Sequence, residues 1–413
     1  MALDVRTITE SEVDAWCAAW DTGSLNPAGG ADAPARRRGL LLDRTWAAFD
    51  GDRAVATLRS FPAELTLPGG GTVTAGAVTQ VGTAATHRRR GLATRLVEAE
   101  LAAAARRGEP VSVLIASEWG IYGRFGYGAA TEHQHYTVDT RAARLIDRPR
   151  GSVEFVDRDT ARAAAPGLHA RHRAGRPGDL ARDGLFWDRL FGIARVPGRP
   201  QPAPAFHVLA RDAGGHPAGL ARYRAELRTE HRVPAGEATA ELFLAVSRDG
   251  ALLLWDHLLN LDLVTTVRVG DRPADEALPW LLTDARAARA AERADFLWVR
   301  PLDVPALLAG RRYAAPGRIV LEVDDPLGFA AGRFALHAGG GDGSVGHPAS
   351  CERTDAPAEL ALSASALGSV CLGGFGVGAL AAAGRIAERI PGAAARADAM
   401  FHWPTAPWCS TWF

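Results

Sequence analysis

The chain has 413 residues, 47% hydrophobic and 23% charged, a globular composition with material for about two to four domains. Basic and acidic residues balance at 47 each, so no basic excess offers nucleic acid a whole-surface grip. Four cysteines (Cys17, Cys351, Cys371, Cys409) without CxxC spacing argue against a disulfide framework and read as thiols of a cytoplasmic protein.

All the basic side chains are arginine, which reads as codon bias. The N-terminus carries acids early and lacks an apolar core of signal-peptide length, so secretion is not expected. Residues 4–20 read as a short strand and then a helix, with capping-box spacing between Thr9 and Glu12. Residues 29–38 read as a loop. Segments 45–49, 53–59, 63–67 and 73–83 read as strands, with turns at Asp50-Gly51 and Pro68–Gly71. Leu92, Leu96, Val97, Leu101 and Ala104 then share one helical face, and Val111–Ala116 is a short apolar strand. Strand, helix and strand predict a right-handed crossover that sets 73–83 beside 111–116. SEWGIYGRFGYG follows as a glycine-punctuated loop, then a strand over 134–139.

The middle region predicts helices near 159–171 and 183–193, strands near 205–211, 217–227 and 241–246, and helices over 250–259 and 277–290. The last region predicts a strand at 296–300, a helix over 303–310, strands at 318–324 and 333–337, a glycine-rich turn at 339–343 and a helix over 378–388. Leu360–Gly384 carries no charge, but its six glycines and the absence of an aromatic belt favour buried turns and helices over a membrane span. The expected division is 1–145, 146–292 and 293–413, an α+β protein throughout.

The chemistry concentrates in QVGTAATHRRRGLAT, residues 80–94. A strand runs into an arginine turn, and a helix begins at Gly91-Leu92. The first helical N–H groups lack intrahelical partners and the dipole is positive there, so backbone, glycine and arginine together suit a pyrophosphate. The spacing is neither GxxxxGK[ST] nor GxGxxG, which disfavours a nucleotide-hydrolysing loop or a dinucleotide site.

Arg88-x-x-Gly91-x-Ala93 after a meander resembles the acetyl-CoA motif of GNAT N-acetyltransferases, and IYGRFGYG with the PWCSTWF tail is similar to the Eis family. The resemblance spans the chain. It implies an N-terminal GNAT domain, a second, degenerate GNAT-like domain and a C-terminal sterol-carrier-protein-like domain. It also implies a homohexamer, acetyl-CoA as cosubstrate, no metal, and acetylation of aminoglycosides or other small polyamines. By motif position, Val81, Gly82 and Thr83 take the acetyl-pantetheine arm. Arg89, Arg90, Gly91, Leu92, Ala93 and Thr94 hold the pyrophosphate, and Ser117 and Glu118 lie beside the thioester. Tyr122 is the expected proton donor, and the terminal carboxylate of Phe413 the expected proton acceptor. The family carries proline where Ala85 stands and a small residue where Trp119 stands, and the latter change narrows or reshapes the amine pocket.

Trp16, Trp20, Asp21, Trp119 and Trp412 are candidate pocket residues, since tryptophan faces and carboxylates attract cations. His133 and His135 share one strand face, but no third ligand lies near them in sequence. Ser117, Cys371 and Cys409 lack a histidine partner in sequence, which disfavours covalent catalysis. Two rival readings remain at this point. One is a protein lysine acetyltransferase of the same fold, the other a non-catalytic lipid- or partner-binding protein.

Overall fold

The computed structural model describes residues 3–26, 36–195, 201–340 and 346–413. Most of the loop read at 29–38, and part of the glycine turn read at 339–343, lie outside the described residues. The first third of the chain runs through β1 (Asp4–Thr7), β2 (Thr45–Asp50), β3 (Arg53–Thr66) and β4 (Thr72–Thr83). Helices α1 (Val13–Gly23) and α2 (Leu92–Arg106), strand β5 (Val111–Ile115), the turn of helix α3 (Trp119–Tyr122) and β6 (Gly128–Ala129) complete it. The two strands read at 53–59 and 63–67 are one, because nothing between them turns the chain.

β7 (Glu132–Asp139), β8 (Ser152–Phe155), α4 (Arg158–Ala174), α5 (Gly184–Leu190), β9 (Phe206–Arg211) and β10 (Pro217–Glu226) follow. A small hairpin, β11 (Thr229–Glu230) and β12 (Val233–Pro234), precedes β13 (Gly236–Ala245), α6 (Arg248–Leu259), β14 (Val264–Pro273), α7 (Leu278–Leu281) and β15 (Ala288–Asp295). The last part holds β16 (Leu297–Pro301), α8 (Val304–Ala309), β17 (Gly317–Asp324), β18 (Gly332–Ala338), β19 (Ala349–Arg353) and β20 (Leu360–Ser363). It ends with α9 (Ala364–Val370), α10 (Val377–Ala382), β21 (Ile386–Glu388) and α11 (Ala393–Phe401).

Two seven-stranded sheets share one plan. The first runs β1-β2-β3-β4-β5-β16-β6, the second β8-β9-β10-β13-β14-β7-β15. In each, an antiparallel meander is followed by a helix crossover to a parallel fifth strand: β4 to β5 through α2, and β13 to β14 through α6. In each, the sixth strand comes from the other half. The strand expected to close the first region, β7, sits between β14 and β15 of the second sheet. The strand expected to open the third region, β16, sits between β5 and β6 of the first. The third sheet runs β19-β18-β17-β20-β21.

Two helical expectations fail. The alanine-rich run at 277–290 forms only α7 before turning into β15, whose backbone bonds to β7 outweigh alanine's helix preference. The helix read over 378–388 stops at Ala382, because Gly384 takes φ 71° and Ile386–Glu388 pairs with β20. The uncharged stretch 360–384 is divided among β20, α9 and α10, and no helix among the described residues is long and apolar enough to cross a membrane.

The regions are locked together without linkers. A Cβ on Gly128 would fall 2.0 Å from the Ser365 carbonyl oxygen, and one on Gly368 2.2 Å from that of Val299, so α9 lies directly on β6 and β16. Arg300 Nη2, on β16, donates to both carboxylate oxygens of Asp325 at 2.8 Å, both side chains fully buried. One apolar cluster runs from Val73 and Val113 of the first sheet to Leu367 and Phe401.

Candidate active site

β4 pairs with β5 only over Ala75–Ala77 and Val111–Val113. Beyond that level β5 continues against β16, and β4 continues against β3, so the two strands part. A bulge sharpens the divergence. The β3–β4 register slips between Thr57 and Arg59, Gln80 takes φ 54°, and the Thr57 hydroxyl donates to the Gln80 carbonyl at 3.0 Å. Val81, Gly82 and Thr83 are half-buried beyond the bulge. Gly82 and Thr83 pair with Thr57 and Ala56 of β3, and the other edge of this segment lies beyond the part of β4 that pairs with β5. Trp20 lies under this segment, since a Cβ on Gly82 would approach its ring to 3.2 Å.

A single 3-10 turn over Ala85–His87, formed without proline, leads to Arg88, Arg89 and Arg90, all exposed. Arg89 takes φ 61°, and Gly91, the N-cap of α2, takes φ 73°. A Cβ on Gly91 would meet no atom within 4 Å, so the space over the helix start is open. Leu92 anchors that start by its buried side chain, while Ala93 and Thr94 are half-buried. This open helix N-terminus ringed by arginine fits a pyrophosphate. Behind it, buried Glu100 fastens α2 to the sheet, accepting from Ser60 and from the Trp46 indole, each at 2.6 Å.

Ser117, Glu118 and Trp119 are exposed at the end of β5. Trp119 stacks edge-on against Trp298 at 5.0 Å. Tyr122 is 8% exposed, and its hydroxyl makes no hydrogen bond among the described residues. Burial, reinforced by the Glu118 charge, pushes its pKa above the usual phenol value, so it stays protonated at neutral pH. Tyr127 packs edge-on at 6.0 Å but is fully buried, with its oxygen 2.7 Å from Ser112 Oγ, which itself bonds the Gly76 carbonyl. Of the two tyrosines, only Tyr122 has a free hydroxyl.

The C-terminal tail reaches the same sheet from the other face. Phe413 packs edge-on against Phe61 of β3 at 5.4 Å and against the cluster that holds Ala77, Val113 and Ile115. Tyr122 belongs to the opposite cluster, with Val78, Leu114 and Val81. The tail is held by a network the sequence did not reveal. The Trp408 amide donates to the Pro177 carbonyl at 2.8 Å. Buried Asp179 accepts from the Ser410 amide at 2.9 Å and from its hydroxyl, while Arg182 donates to Thr411 Oγ1 at 2.9 Å and to the Ser410 carbonyl. The only hint in the sequence was the charge of GDLARD between two helices.

Three expectations change. Trp16 is 1% exposed and donates its indole N–H to the Trp46 carbonyl, so it is core, not pocket. Asp21 is buried in an ion pair with Arg36 at 2.8 Å, so its carboxylate is already engaged. His133 and His135 do have a third neighbour: Asp271, 138 residues away from His133 in sequence, lies 2.9 Å from His133 Nδ1. Trp412 is 55% exposed beside Phe296 and remains a pocket candidate with Trp20 and Trp119. Cys371 and Cys409 are fully buried, and burial raises both thiols, Cys371 to about 12, so neither is a ready nucleophile.

Comparison with known proteins finds three family matches along the chain. Two acetyltransferase (GNAT) domain models match residues 4–130 and 178–301, and a sterol carrier protein domain model matches residues 304–410. A Streptomyces avermitilis protein described as an uncharacterized N-acetyltransferase is 40% identical over 100% of this chain and 99% of its own length. N-acetyltransferase Eis of Mycobacterium tuberculosis is 39% identical over 82% of this chain and 80% of its own. The crystal structure of Eis1 from Mycobacterium abscessus superposes with a TM-score of 0.86 at 32% identity, covering 99% of this chain and 100% of that one.

Proposed function

Because the chain belongs to the Eis family of GNAT N-acetyltransferases, we propose that it acetylates the amines of small polyamines, aminoglycosides among them, at several positions. One observation carries this reading. Tyr122 packs on one face of the parted β4 and β5, and Phe413 packs on the other. This packing supports an acid on one side of the gap and a base on the other.

GNAT acetyltransferases use acetyl-CoA, whose thioester supplies the activated acetyl group. Backbone groups of Val81–Thr83 hold the pantetheine arm along the free edge of β4, and an N–H near Val81 stabilises charge on the acetyl oxygen. Arg89, Arg90 and the α2 backbone from Gly91 to Thr94 hold the pyrophosphate. Ser117 and Glu118 flank the thioester at the end of β5. The carboxylate of Phe413 accepts the amine's proton, directly or through one water, and the Tyr122 hydroxyl donates to the leaving sulfur. Fixing both partners in the gap supplies much of the rate. The exposed faces of Trp119 and Trp412 and the charge of Glu118 draw a cationic amine toward it. The working assembly is a cytoplasmic homohexamer.

A thiol-release assay with acetyl-CoA across aminoglycosides, linear polyamines and lysine peptides tests the acceptor class. Fastest turnover is expected with aminoglycosides. Preference for peptides would favour protein acetylation instead, and no release with any amine would favour a binding role.

A further inference from the structure

β7 presents His133 and His135 two residues apart, hence on one face of the strand. Both neighbours of β7 carry a bulge at this level. The β14 register slips between Val269 and Arg272, and Asp271 there takes φ 50°. The β15 register slips between Ala291 and Ala294, and Glu292 there takes φ 52°. Bulges re-aim side chains, and a non-glycine residue at positive φ is strained. Two such bulges, on opposite sides of one histidine pair, turn two carboxylates toward it. Asp271 Oδ1 lies 2.9 Å from His133 Nδ1 and 3.5 Å from His135 Nε2. Glu292 Oε2 lies 3.7 Å from the other nitrogen of His135, Nδ1.

We infer that His133 Nδ1, His135 Nε2 and Asp271 form a binding site for a divalent transition-metal ion, with Zn²⁺ the best match. Two ligand atoms on a tetrahedral zinc, each about 2.0–2.1 Å from it, sit about 3.3 Å apart. The separations of 2.9 and 3.5 Å bracket that value. Glu292 adds a negative charge beside His135, 3.7 Å from its Nδ1, and so favours a cation at this place. Two imidazoles and one carboxylate select a zinc-like ion over magnesium, which prefers an all-oxygen shell. The His135 side chain is 40% exposed and that of Asp271 55%, so the ion enters from solvent and its fourth position takes water.

The test is calorimetric titration of the chelator-treated full-length protein with zinc chloride near neutral pH. One zinc ion per chain is expected, with no heat from magnesium. His135→Gln and Asp271→Asn should each abolish the site. Melting temperature and acetyl-transfer rate should stay as in the parent, since none of the substituted side chains is assigned a part in acetyl transfer. Absence of binding up to about 100 µM free zinc, a generous ceiling for a three-ligand site, would overturn the inference. So would unchanged stoichiometry and affinity in the His135 and Asp271 variants.

Discussion

Tyr122 and Tyr127 differ in what their oxygens already do. The Tyr127 hydroxyl is spent within the sheet on Ser112, whereas that of Tyr122 is free and held in its protonated form. Tyr122→Phe should therefore lower kcat by roughly 10²–10⁴ with little change in the KM for acetyl-CoA. Tyr127→Phe should cost about 1 kcal/mol of stability and leave kcat within a few-fold. Steady-state kinetics and urea unfolding of the two variants check this, and the reverse pattern would exchange their roles. In the sequence the family resemblance singled out Tyr122; burial and hydrogen bonding give the physical reason for the difference. The same holds for Trp16 and Asp21: their types suited a cation pocket, yet one is bonded to a core carbonyl and the other to Arg36. Residue type is local, whereas engagement is a matter of distant neighbours.

The start of α2 was legible because a strand, an arginine turn, a glycine and an amphipathic run lie next to one another in the chain. Gly91 answers two requirements, a positive φ and an unobstructed approach to the helix N–H groups. Gly91→Val should raise the KM for acetyl-CoA at least about tenfold, with kcat at saturation less affected, while costing roughly 1–2 kcal/mol of stability from backbone strain. An unchanged KM in the folded variant would contradict the cradle. The alanine-rich 277–290 run was misread for the opposite reason: its fate is decided by β7, far away in sequence.

Helix α4 carries a group whose titration can be followed. His172 bonds the Ala245 carbonyl at 2.9 Å and stacks edge-on against Trp408 of the tail at 5.5 Å. Burial pushes its pKa from 6.5 down to about 4. The unfolded chain therefore takes up a proton between these values that the folded chain refuses. The contribution is fully present above pH 6.5, declines below it, and is exhausted as the pH falls through about 4. At full size it is on the order of 3 kcal/mol. Urea unfolding between neutral pH and about 4.5 should show falling stability, and His172→Phe should flatten that slope. His169, His207 and His257, also depressed by burial, should retain part of it. A slope identical in the variant would contradict the assignment.

Across the whole molecule, the least legible feature is the exchange of strands. The periodicity of β7 and β16 identified them as strands, but period-two alternation names no partner, and each pairs in the sheet beyond its expected region. The likeness of the two seven-stranded sheets was only faintly visible, as a recurring order of elements. The tail unites the three parts: it leaves the third, is fastened by Asp179 and Arg182 of the second, and ends on Phe61 of the first. If its carboxylate takes the amine's proton, activity depends on where the chain stops. The decisive measurement is kcat with one good amine for untagged protein, N-terminally tagged protein, and protein lengthened by one C-terminal glycine. The added residue turns the Phe413 carboxylate into an amide, which cannot take a proton. Lengthened protein should lose roughly 10²–10⁴ in kcat at an almost unchanged melting temperature, while the N-terminal tag should be harmless. Full activity in the lengthened protein would mean that the tail only packs, and that the base lies elsewhere.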